Sequence, residues 1–325
     1  MSYLQAFVIA VVQGVTELFP ISSLGHSVLI PAWIGGSWHT LVTQSSQATS
    51  EKSFYLAYIV ALHCATAFAL LWYFRADWVR IIRGFFHSLT RGVRQRRLTV
   101  EGRDERLAWM IVIATIPVGL TGVALEHTFR TIFAKPIAAA VFLFINGLVL
   151  FGGERLRRRQ PALVASPTAA SRADEAPPVE TRTDGARGAD IAAGRAADAR
   201  ITKLSFRDAL YIGALQIAAL FAGISRSGVT MVGGLWRGLD HEDAARFGFL
   251  LATPAILAAG LLKLPSLGGS AGAHIHGQIA LGVVVAGVAA YLSVRFLMRY
   301  FQTRTLTPFA IYCVVFGAAS FFRFA

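Results

Sequence analysis

Charge is scarce in this 325-residue sequence: Asp, Glu, Lys and Arg together make 15%, against about a quarter in soluble domains. Hydrophobic residues make 55%, a balance that excludes an ordinary soluble domain and points to an integral membrane protein. Acidic residues are the scarcer sign, 18 against 31 basic ones, for a formal net charge of +13. The basic surplus lies between long apolar runs, as cytoplasmic loops facing anionic lipid do, and no nucleic-acid-binding motif accompanies it. No nucleic-acid partner is therefore expected. Cysteine occurs twice, Cys64 and Cys313, each inside an apolar run and without CxxC spacing. This excludes a disulfide framework or a cysteine metal site and leaves packing. The N-terminus, MSYLQAFVIAVVQ, has no basic stretch ahead of its apolar residues, so it reads as mature structure rather than a secretory signal.

The apolar runs differ in length. Residues 1–19 are interrupted by Gln13, Thr16 and Glu17 and stopped by Pro20, and a second short run follows over 28–34. Each is shorter than the ~20 residues of a spanning helix, so together they predict a re-entrant hairpin over 1–35, with its irregular turn against a protein cavity. A Ser/Thr/Gln-rich loop is expected over 36–52. Spans are predicted over 54–74, 107–125 (with Pro117 as a kink) and 136–153, the first two separated by a basic loop and the third running into Arg155, Arg157, Arg158 and Arg159. Residues 159–203 are rich in Ala, Arg, Asp, Pro and Gly with few large apolar residues. Such a segment buries too little surface to offset its ordering entropy, and a disordered cytoplasmic linker is expected.

After the linker the pattern returns. Residues 206–237 form a second hairpin around AGISRSG, followed by apolar cores over 247–262, 279–294 and 308–322. QGVTELFPISSLGH at 13–26 and QIAALFAGISRSGVT at 216–230 align without insertion: Gln13 with Gln216, Ile21 with Ile224, Ser22 with Ser225, Gly25 with Gly228. Pro136 and Gly147 have counterparts in Pro308 and Gly317. The expected fold is thus an all-α polytopic membrane protein with two repeats, 1–158 and 204–325, each a re-entrant helical hairpin plus three transmembrane helices. An odd number of crossings per half makes the second repeat inverted. The positive-inside rule places the 75–106 loop, the linker and the Arg299–Arg304 turn in the cytoplasm, and the 126–135 turn, the 265–278 loop and both termini outside. Inverted repeats with broken helices commonly hold their site where the halves meet.

The polar residues of the two turns are the candidate site. Gln13 and Glu17 share one helical face, and Ser23 and His26 share the next. A carboxylate at membrane depth costs about 2.5–3.5 kcal/mol on insertion scales, which makes Glu17 a functional candidate; a structural brace for the hairpin is its other reading. His26 can carry a proton or attack, or simply pack. Ser22 suits helix capping as well as ligand binding. In the second turn Arg226 offers a planar donor fork beside Ser225, Ser227 and Thr230 at a helix N-terminus, chemistry that fits a phosphate. An ion pair with Glu17 joining the halves is the other reading of Arg226. His63 and Asn146, inside spans, are expected to satisfy local polar contacts.

These motifs resemble the undecaprenyl-diphosphate phosphatase family, the bacitracin-resistance proteins: QGVTELFPISSLGH its first motif, AGISRSGVT its second, with AARFGFLLATP at 244–254 extending the likeness over both halves but not the linker. The resemblance implies a multi-pass protein of the bacterial inner membrane that removes the terminal phosphate of the C55 isoprenoid diphosphate. The charge-based topology places the first hairpin toward the outer face, so an outward-opening site is expected. It implies Glu17 as base or metal-associated carboxylate, Ser23 or His26 as nucleophile with His26 as acid/base partner, and Arg226 with Ser22, Ser225, Ser227 and Thr230 as the phosphate clamp. A divalent cation, Mg or Ca, is implied at Glu17 and Gln13, although Gln13 stands where many members have a second glutamate. Ala222 replaces the usual proline before Gly223. The partners implied are the isoprenoid diphosphate lipid and the membrane, with a homodimer allowed. A transporter or flippase of a phosphorylated lipid or small anion is the alternative, since broken-helix repeats also build transporters.

Overall fold

A computed structural model describes residues 1–38, 40–41, 54–97, 99–133, 135–158, 184–267 and 275–325. Among them every regular element is helical. The first hairpin is α1 (Tyr3–Thr16) and α2 (Ser23–Ile34), followed by α3 (Phe54–Tyr73), α4 (Arg75–Gln95), α5 (Arg103–Phe133) and α6 (Pro136–Arg157). Helix α7 (Asp184–Ile201) precedes the second hairpin, which is α8 (Phe206–Leu215), a 3-10 turn (Gln216–Leu220) and α9 (Arg226–Trp236). The chain ends with α10 (His241–Leu267), α11 (His276–Tyr300) and α12 (Thr307–Phe324). Five helices are long and apolar enough to cross a membrane, or six if the bent pair α3–α4 makes one span.

Reciprocal packing builds the core. Helix α1 lies along α11, α8 lies along α5, and α6 pairs with α12. The last pair approaches closely because it is glycine on both sides: a Cβ at Gly147 would stand 2.8 Å from the Ala310 carbonyl oxygen, and one at Gly317 would stand 3.0 Å from that of Ala140. The irregular segments between each hairpin's helices meet at the centre of this bundle.

Three expectations change. The basic loop expected after α3 is largely helix α4, which turns away from α3 by 87°. Its residues are spaced so that Ile81 and Ser88 are buried while Arg75, Arg83 and Arg94 are exposed, an amphipathic pattern rather than a loop pattern. The turn expected over 126–135 is mostly the continuation of α5 to Phe133. Within the segment read as a disordered linker, 184–201 is helix α7. It is fastened by Asp198, which accepts from Arg80 Nη2 at 2.8 Å and Arg246 Nε at 3.0 Å, and by the buried Ala197 and Ile201. Paired charge thus does what apolar burial could not. Residues 159–183, and 42–53 of the expected Ser/Thr/Gln loop, lie outside the described residues.

Candidate functional site

Each hairpin turn begins a helix with a serine cap. Ser22 Oγ accepts from the Gly25 amide at 3.3 Å, and Ser225 Oγ accepts from the Gly228 amide at 3.2 Å, satisfying amides that a helix start leaves free. The turns are also joined to each other. Ser22 Oγ accepts from the Gly223 amide at 3.2 Å, and the Phe19 carbonyl accepts from Ser225 Oγ at 3.4 Å and Ser227 Oγ at 3.2 Å. Gly25 faces Gly223 so closely that a Cβ would meet its Cα at 2.9 Å, so a side chain at Gly25 would part the turns, whereas a Cβ at Gly223 would stand 2.5 Å from the Ala139 carbonyl oxygen and press against α6 instead.

Glu17 is the hub. It is buried, and its Oε2 accepts from Gln13 Nε2 at 2.9 Å and, in a very short hydrogen bond, from Ser23 Oγ. His63 Nε2 stands 3.4 Å from the same oxygen. The other oxygen, Oε1, accepts from Arg226 Nη2 at 3.1 Å. Ser23 and Arg226 are each the first residue of their helices, so the two caps aim one hydroxyl and one guanidinium at a single carboxylate. One negative charge flanked by an arginine and a histidine suits an anionic ligand with exchangeable contacts.

The remaining expected residues are placed differently. Ser22, Ser225 and Ser227 hold the turns as described, and Thr230 Oγ donates to its own helix, to the Arg226 carbonyl at 2.9 Å and the Ser227 carbonyl at 3.0 Å. His26 does not face Glu17 or Ser23. Its Nδ1 donates to the Ser22 carbonyl at 2.8 Å, leaving Nε2 as acceptor from the Tyr312 hydroxyl at 2.7 Å, and its ring stacks on Tyr312 and Phe316. Both ring nitrogens are thereby occupied.

Two residues expected to make only local contacts belong to the site. His63 Nδ1 donates to the Ile59 carbonyl at 2.8 Å, which fixes the ring with Nε2 toward Glu17. Asn146 spans the two turns: its Nδ2 donates to the Pro20 carbonyl at 3.0 Å and its Oδ1 accepts from the Ser225 amide at 2.9 Å. Their depth inside spans was the available signal, because a polar side chain there is costly unless used.

Gln13 and Glu17 do not by themselves make a cation cage. Gln13 Oε1 is buried without a hydrogen-bond partner, but both Glu17 oxygens already accept from donors, and the described residues contain no group of three His, Cys, Asp or Glu able to hold a metal. Hard divalent cations want six or more oxygens, and one amide oxygen beside one committed carboxylate falls short.

Among known proteins, the chain is 56% identical to undecaprenyl-diphosphatase 2 of Frankia alni, over 100% of this chain and 98% of that protein. It is 55% identical to undecaprenyl-diphosphatase of Mycolicibacterium paratuberculosis, over 98% and 96% of the two chains. With undecaprenyl-diphosphatase 2 of Burkholderia lata it shares 41% over 95% and 92%. The family model for bacitracin resistance protein BacA matches residues 6–319, which takes in both hairpin turns and all but the outer ends of α1 and α12, and the chain belongs to that family.

Proposed function

We propose that this chain is an undecaprenyl-diphosphatase that removes the terminal phosphate of the C55 isoprenoid diphosphate in the bacterial inner membrane. It returns the monophosphate carrier to cell-wall synthesis and thereby confers bacitracin resistance. The observation that carries this reading is the Glu17 carboxylate holding Ser23 Oγ on one side and Arg226 on the other. Hydrolysis of a phosphoanhydride needs an in-line nucleophile, a proton acceptor and neutralisation of developing charge, and these three residues provide them.

In this mechanism Ser23 Oγ attacks the distal phosphorus while its proton passes to Glu17. The bond from that phosphorus to the bridging oxygen breaks, and the bridging oxygen leaves as part of the lipid monophosphate, taking the electron pair and then the proton from Glu17. Water next attacks the phosphoserine, gives a proton to Glu17 and releases inorganic phosphate, and Ser23 Oγ recovers the proton. Arg226 exchanges Glu17 for phosphate oxygens as substrate enters. His63 keeps Glu17 turned toward Ser23. Ser23 rather than His26 attacks, because the His26 lone pair is taken by Tyr312. A divalent cation would have to take most of its oxygen ligands from the diphosphate.

The inverted repeat is part of the same reading. Its support is the paired capping boxes at Ser2–Gln5 and Ser205–Asp208, the paired serine caps of α2 and α9, and the mirrored glycine contacts of α6 and α12. The site opens outward, and every reacting group comes from one chain, so no second copy is required. Purified protein in detergent with the C55 diphosphate is expected to release phosphate, Ser23→Ala and Glu17→Ala to abolish it, and Arg226→Ala to lower it strongly. Absence of release, with lipid movement in proteoliposomes, would make the chain a transporter. Labelling of Ser23→Cys by an impermeant thiol reagent only from the cytoplasm would reverse the orientation.

A further inference from the structure

Beside the first hairpin turn, the end of α11 lines an open-sided cavity of about 450 Å3, within the size range of small-molecule sites. Its walls include Leu292, Phe296, Arg295, Arg299, Thr303 and Arg304. Arg295 and Arg299 stand one helical turn apart on the same face. The chain then folds back, with the Arg304 amide donating to the Tyr300 carbonyl at 2.9 Å, and this brings the third guanidinium to the same opening. All three arginines are exposed, and their side chains hold no ion pair or hydrogen bond among the described residues. Arg80, Arg200, Arg226 and Arg246, by contrast, are each paired with a carboxylate. Three like charges around one cavity repel one another unless an anion enters.

The apolar part of the cavity identifies the anion's carrier. Val284, Val288, Leu292 and Phe296 recur every four residues along α11 and are 64%, 56%, 57% and 52% exposed, a lipid-facing row that runs directly into the arginines. We propose that this cavity is a binding site for an anionic glycerophospholipid of the membrane, its headgroup phosphate held by Arg295, Arg299 and Arg304 and an acyl chain lying along that row. Guanidinium forks match phosphate oxygens, and the Thr303 hydroxyl adds a donor at the rim. A free phosphate would leave the apolar row without a role. The site borders the reaction centre: Phe296 stacks on Phe19, ring centroids 5.9 Å apart, and the Phe19 carbonyl is the acceptor shared by Ser225 and Ser227. A bound lipid therefore supports the wall against which the first turn rests.

The test uses the delipidated full-length protein in detergent, titrated with phosphatidylglycerol or phosphatidylcholine and read by native mass spectrometry. Wild type is expected to retain phosphatidylglycerol in preference. At the interaction expected per basic residue, R299Q weakens that binding about fivefold and R295Q/R299Q/R304Q roughly a hundredfold. The control R83Q/R94Q/R97Q, which removes the same charge from exposed positions on and just after α4, leaves it unchanged. L292N weakens phosphatidylglycerol retention while all three arginines remain. Equal weakening in both triple variants, unchanged binding in the cavity variants, equal retention of phosphatidylcholine, or displacement of the lipid by millimolar inorganic phosphate would each overturn the proposal.

Discussion

The two hairpin turns share a frame and differ in what they carry on it. Each caps its second helix with a serine that accepts from the amide three residues on, and each presents the first helical residue to Glu17, Ser23 from one side and Arg226 from the other. In the proposed reaction the first turn supplies the nucleophile and the base, and the second supplies a cation. The backbones differ as well. Positive φ falls on Gly223 in the second turn, at 115°, but on Ser22 itself in the first, at 70°. A common scaffold therefore fixes where the groups stand, and under the proposed mechanism two substituted positions make one turn the reacting side and the other the clamp.

The largest effect that would sharpen this division is at Glu17. Glu17→Gln keeps a hydrogen-bonding oxygen but no base, and a fall in kcat of roughly 10²–10⁴ is expected with little change in KM. Arg226→Ala removes a charge donor, with an expected loss of about 10²–10³ in kcat and a raised KM as well. Steady-state phosphate release separates the two, and an Arg226→Ala variant with normal kcat would reduce the second turn to a binding element.

Asn146 joins the turns, and its loss should act on stability. Asn146→Ala strands the Ser225 amide and the Pro20 carbonyl, each buried, at about 1–3 kcal/mol per unsatisfied group. A lower unfolding temperature in detergent is expected for this variant, with phosphate release per folded molecule also reduced. An unchanged unfolding temperature would mean that the turns hold together without it.

A smaller effect belongs to His63. His63→Gln keeps an N–H that reaches toward Glu17, whereas His63→Ala leaves the carboxylate free to turn. The alanine variant is expected to lose about tenfold in kcat, the low end for one hydrogen bond to a charged group, and the glutamine variant to recover most of it. Equal loss in both would assign His63 a proton-carrying role instead.

How much of this could be read from sequence depended on whether the signal was local. The hairpins, their serine caps and the apolar spans follow from short motifs and run lengths, whereas the Glu17–Arg226 contact joins residues 209 positions apart and is only the other reading of Arg226 in the sequence. Helix α4 was hidden because its arginines were read as loop charge, when their spacing leaves Ile81 and Ser88 on a buried face. Helix α7 was hidden because Asp198 finds Arg80 and Arg246 only in the folded bundle. His63 and Asn146 meet their partners across 46 and more positions of chain, Glu17 for one and Pro20 and Ser225 for the other. His26 went the other way. Its spacing from Ser23 placed it beside the nucleophile, but its rotamer follows Tyr312, a residue of the last helix.

The finest test of the comparison lies in the caps themselves. At both positions glycine should be better tolerated than alanine by up to about 1 kcal/mol, the ordinary preference of a helix cap. At Ser22 a further term applies, because φ 70° and ψ 102° lie outside the conformations that side-chain-bearing residues favour, at a cost of about 1–3 kcal/mol. Ser225, at φ −90° and ψ 125°, has no such cost. Ser22→Ala keeps the strain and loses both hydrogen bonds that Ser22 Oγ accepts, from Gly25 and Gly223, while Ser22→Gly loses the same bonds but relieves the strain. The glycine-over-alanine advantage in unfolding temperature should therefore be clearly larger at 22 than at 225. An equal advantage at both positions would show that the first turn stores no strain, and that the two turns differ only in the residues that follow their caps.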